Sequence, residues 1–74
     1  MKTLDSTERQ ILLRKYMQNP EEPLSFEEAI KKVNKFHDYL KDMRDRLRIK
    51  KVPDNEIQDK FRKEFEELVC SLEN

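Results

Sequence analysis

The stretch FEEAIKKVNKFHDYLKDMRDRL, residues 26–47, decides how the chain folds. Phe26, Val33, Leu40 and Leu47 recur at intervals of seven, and Ala29, Phe36 and Met43 stand three residues after the first three of them. An a/d seam kept for three heptads is the period by which helices pack with a left-handed crossing. No strand period fits it, because alternate residues do not share a polarity. Ser25 followed by Glu28 is a capping-box start, with Leu24 before it as a hydrophobic staple. The seam therefore predicts a helix over about residues 25–50, roughly 38 Å long at about 1.5 Å per residue.

Outward from this spine, both flanks are punctuated by proline. Asn19-Pro20-Glu21-Glu22-Pro23 precedes it and Val52-Pro53-Asp54-Asn55 comes after it. Proline removes a backbone donor and drives the residue before it out of the helical region, while Asp54 or Asn55 is suited to capping a third helix. Beyond the second break, Ile57, Phe61, Phe65, Leu68 and Leu72 step by four, four, three and four, an amphipathic helix over about 54–72. Before the first break, Asp5 and Glu8 have capping-box spacing, and Ile11, Leu12 and Tyr16 give a face to a helix over about 6–18. The short second connector makes the two longer helices antiparallel neighbours. The expected fold is all-α, a single domain over 1–74: an antiparallel helical hairpin with a shorter N-terminal helix, forming a three-helix bundle. Its packing seam is Phe26, Val33, Phe36, Leu40, Met43, Leu47, Ile57, Phe61, Phe65 and Leu68.

Composition narrows the chemistry by exclusion. The 74 residues contain no Gly, so neither a dinucleotide-binding turn nor a P-loop is available, since both need glycine where backbone approaches phosphate. One Cys and one His, Cys70 and His37, supply no intrachain disulfide and no Cys/His zinc cluster. His37 falls at the e position beside the seam, followed by Asp38 but by no larger phosphotransfer motif, and reads as a partly buried side chain satisfying a neighbour. Cys70 reads as a small packing residue. The pairs Glu21-Glu22, Glu27-Glu28 and Glu66-Glu67 read as solvated helix surface, because neighbouring residues diverge by about 100° around a helix. A catalytic, metal or cofactor site is not expected. Residues 1–6 lack the apolar core of a secretion signal, and the longest apolar run is Ile11 to Leu13, so no membrane partner is expected and the cytoplasm is the expected compartment.

Charged residues make up 43% of the chain against about 25% in ordinary domains, yet 16 bases and 16 acids cancel. Residues 41–51 carry six bases and two acids, whereas residues 54–74 carry three bases and seven acids. Lys41, Arg44, Arg48 and Lys51 fall at helical spacing along one side and, with Tyr39, are the candidate partner-binding residues. Positive charge also complements the C-terminal end of a helix, and acidic residues open the next helix beside it. These features suggest a non-enzymatic helical module that works by packing against another protein or against itself as a homodimer. The less favoured alternative is a small regulator that touches nucleic acid through the basic end of the second helix.

Overall fold

The computed structural model describes residues 4–73; the remaining ends of the expected 1–74 domain lie outside the described residues. Three helices follow in order: α1 (Ser6–Met17), α2 (Phe26–Ile49) and α3 (Asp54–Glu73). All three pack on one another as an all-α three-helix bundle. Each expected boundary falls within one residue of the observed one. The molecule measures 39 × 21 × 18 Å, and its long dimension is that of the 24-residue α2.

The largest fully buried side chains of the core come one from each helix: Leu12, Leu40 and Ile57. Leu4, Val33, Phe61 and Leu72 complete it, with Phe36, Met43, Leu47, Phe65 and Leu68 half-buried around them. The seam thus points inward as its period requires, except at Phe26, which is 54% exposed. Phe26 is the first residue of α2, where the chain enters from the connector, and Ala29 one turn later takes the buried place. Leu4 joins the core from just before α1, a contribution with no periodic signal to mark it.

The caps differ from expectation in two places. The reciprocal box forms at α1, where the Asp5 carboxylate accepts from the Glu8 N–H at 2.8 Å and the Glu8 carboxylate accepts from the Asp5 N–H at 3.1 Å. At α2 only the Ser25 hydroxyl participates, accepting from the Glu28 N–H at 3.3 Å. Asp54 and Asn55 do not cap α3; they lie inside its first turn. The Pro53 carbonyl accepts the first turn's bonds, from the N–H groups of Glu56 and Ile57 at 3.1 Å each. A proline serves well there, having no N–H of its own to leave unsatisfied.

The first connector is folded back on α1. Asn19 Oδ1 accepts from the Glu21 and Glu22 N–H groups across Pro20, and the Leu24 N–H donates to the Tyr16 carbonyl at 3.1 Å. This Asx-type turn reverses the chain with no glycine.

The second connector is a Schellman closure. The Lys51 N–H donates to the Arg48 carbonyl at 2.9 Å and the Val52 N–H to the Leu47 carbonyl at 3.0 Å. Both Leu47 and Val52 pack on the core, which supplies the apolar contact that accompanies this motif. The closure needs a left-handed residue, and Lys51 takes it at φ 62°, the one positive φ among the described residues. Glycine ordinarily fills this place; a side chain there costs on the order of 1 kcal/mol.

Candidate interaction surface

Helix α1 is half the length of α2. The Arg9 guanidinium donates to Asn34 Oδ1 at 2.6 Å, and a shallow groove of about 270 Å³ between the helices is walled by Leu13, Phe26, Ile30 and Val33. Near its other end, α1 is tied to α3 by the Lys15–Glu73 ion pair at 2.7 Å. Chain direction follows: moving back along α1 from Tyr16 to Arg9 means moving forward along α2 from the connector to Asn34. Asp5 lies four residues further back, about 6 Å, which brings the start of α1 level with about Asp38.

The basic residues continue the same edge. In the heptad register, Ile30 and Asn34 are the positions that meet α1, and seven- and fourteen-residue steps from them lead to His37, Lys41, Arg44 and Arg48, while Lys51 lies beyond the end of α2. Lys41, Arg48 and Lys51 are exposed, and Arg44 is half-buried with its side chain 18% exposed and 3.4 Å from Asp45. No carboxylate of the described residues lies within ion-pair distance of Lys41, Arg48 or Lys51. Arg46, one column away, pairs instead with Asp42 at 3.0 Å.

Acidic Asp54 and Glu56 open α3 beside the basic end of α2, as expected, but the charge of α3 is uneven along its length. Residues 54–63 of α3, which run beside the tip of α2, hold three acids and three bases; residues 64–73 hold four acids and no base. The hairpin is antiparallel, so that acidic half lies near the first half of α2. The tip is therefore locally positive, and the molecule is charge-polarised along its length despite a net charge of zero.

Tyr39 separates from the basic residues it was grouped with. It sits on the edge of α2 that faces α3, stacked on Phe36 with ring centroids 6.3 Å apart, its hydroxyl donating to Glu64 Oε1 at 3.4 Å. The Glu64 charge, with lesser help from burial, that hydrogen bond and Glu67, holds the phenol above its ordinary pKa of 10.0. Tyr16 is also raised, but by burial alone.

His37 is half-buried between Ile30 and Arg44 in the same column. Cys70 is exposed, against the expectation that it packs inward. It stands two residues, about 200°, around α3 from Leu68, and its neighbour Val69 takes the half-buried place. The paired glutamates are all exposed. Among the described residues there is no group of three or more His, Cys, Asp or Glu side chains placed to hold a metal ion, and no helix long and apolar enough to cross a membrane.

Sequence reading missed the contacts that register α1, because Arg9–Asn34 and Lys15–Glu73 join positions far apart in the chain. It also missed the left-handed turn at Lys51, where only Pro53 two residues on hints at a helix stop. No protein-family model matches the chain, and neither a curated protein nor a solved structure matches it.

Proposed function

We propose that this chain is a small non-enzymatic interaction module that works by helix packing, presenting α2 to another protein. The observation that supports this reading is that α2 leaves three large apolar side chains exposed: Phe26 is 54% exposed, Tyr39 50% and Ile49 82%, on a chain in which charge otherwise dominates the surface. Large apolar side chains at the surface lose the transfer free energy that burial gives, and a partner restores it at about 25 cal/mol per Å² covered. Aromatic anchors are also the residues that most often dominate binding energy. A second copy is one form such a partner takes.

The test is association of the intact chain by light scattering and by crosslinking in the cells that produce it, beside a Phe26→Ser/Tyr39→Ser/Ile49→Ser variant. The parent chain is expected to enter a defined complex, with itself or with a protein, and the variant to lose it while keeping its helical circular dichroism. Equal association of the two would contradict the reading.

A further inference from the structure

We infer that the groove between α1 and α2 is the contact face of a homodimer, in which Phe26 of each copy enters the groove of the other about a two-fold axis near Ile30. The inference rests on the interaction reading above and names the partner as a second copy of this chain.

The groove and the kind of side chain that fills it lie side by side. Leu13, Ile30 and Val33 give the groove of about 270 Å³ its apolar lining, and Phe26 stands at one end of it, 54% exposed. A ring that forms a wall of the groove cannot also fill it. The same ring from a second copy can, and it would be covered in doing so.

Charge selects the second copy as the occupant. Next to Phe26 is Glu27, which shares a helix column with Asn34 seven residues on and so lies along the same rim. At the other end Arg9 donates to Asn34 at 2.6 Å, a bond to a neutral amide. Neither Arg9 nor Glu27 is within ion-pair distance of an opposite charge among the described residues. Lys31, one turn from Glu27, lines a separate depression with Glu22, Leu24 and Glu28. The face therefore has an apolar middle, with an aromatic ring and a carboxylate at one end and a guanidinium at the other.

A two-fold axis is the operation that fits such a face. The levels of Phe26 and Asn34 differ by eight residues, about 12 Å, and their midpoint is Ile30. Half a turn about that level brings the Leu13 and Ile30 side chains of the two copies together. It sets each Phe26 and each Glu27 over the Arg9 end of the other copy, where a guanidinium accepts an aromatic face and a carboxylate at once. An isologous contact uses one patch twice, so both complementary ends must lie on one surface, as they do here. Parallel pairing would instead put ring on ring and like charge on like charge. An unrelated partner would have to carry the same two ends in reverse order, which the chain already does.

The test is sedimentation equilibrium of the full chain and of its Arg9→Glu and Glu27→Arg variants, alone and mixed. The parent chain is expected to dimerise as concentration rises, and less so in high salt. Each variant alone brings like charges together at both ends and should dimerise at least tenfold more weakly. Mixed in equal amounts, the two should recover a heterodimer, because each meets the opposite charge on the other. A second measurement needs no variant: in a mixture of isotope-labelled and unlabelled parent chain, intermolecular NOEs are expected from the Phe26 ring to Leu13 and Val33. A parent chain that stays monomeric to millimolar concentration, intermolecular contacts that avoid Phe26, or folded variants that recover nothing on mixing overturns the inference. A monomeric parent that still enters a complex with another protein, lost in the apolar triple variant, would overturn the homodimer and leave the broader interaction reading standing.

Discussion

Arg9 meets Asn34 across the edge between α1 and α2 at 2.6 Å, and that contact fixes the register of the first helix on the second. It is exposed, so it sets register more than stability. Arg9→Ala is expected to cost less than about 1 kcal/mol by chemical denaturation, whereas Leu12→Ala, which empties a fully buried site, should cost about 2–5 kcal/mol. The second loss is enough to unfold much of a chain this small, whose total stability is on the order of 5 kcal/mol. Similar costs for the two variants would mean that α1 is not docked through Leu12.

Asp5 and Glu8 satisfy each other's backbone donors at the start of α1. Asp5→Ala is expected to destabilise by about 0.5–2 kcal/mol and to speed amide exchange in the first turn of α1 ahead of the rest of the helix. Unchanged exchange there would refute the capping role.

Phe26 and Phe61 belong to the same apolar pattern but not to the same environment, at 54% and 4% exposed. Phe61→Ala should cost about 3–5 kcal/mol and Phe26→Ala under about 1 kcal/mol. A thermal melt of each variant separates them, and a large loss at Phe26 would restore it to the core.

That contrast shows what the sequence could and could not reveal. Periodicity placed Val33, Leu40, Ile57 and Phe61 inward because a helix turns its apolar column to its neighbours whatever those neighbours are. Period alone says nothing of where a neighbouring helix begins, so it could not foresee that Phe26 stays open. The basic stretch was legible from spacing, but the uneven charge beside it was not: the block sum of α3 hid a neutral first half and an acidic second half. Tyr39, only two residues from Lys41, faces the opposite edge of α2, a divergence of about 200° that follows from helix geometry once the two flanking helices are in place.

Tyr39 and Tyr16 should titrate above 10.0 for different reasons, the first from the Glu64 charge and the second from burial. In a phenolate absorbance titration, Glu64→Gln is expected to bring Tyr39 down towards its ordinary value and leave Tyr16 unmoved. Salt should do the same in part, because exposed charges are screened and burial is not. Both groups are raised in the folded chain, so their contribution to stability is whole below pH 10.0 and is lost as pH rises beyond it through the folded values. A Tyr39 titration insensitive to Glu64→Gln would contradict the 3.4 Å contact.

Lys51 holds the left-handed place of the second connector with a side chain, where glycine would relax the turn at φ 62°. Lys51→Gly is expected to make the chain more stable by about 0.5–1 kcal/mol, several degrees in Tm for this size, and a less stable chain would contradict the closure. The central claim, that α2 offers its exposed apolar side chains to a partner, is tested most directly by association of the intact chain beside the Phe26→Ser/Tyr39→Ser/Ile49→Ser variant. The expected result is a complex that the parent chain enters and the variant loses with its helices intact; equal association of the two would contradict the claim.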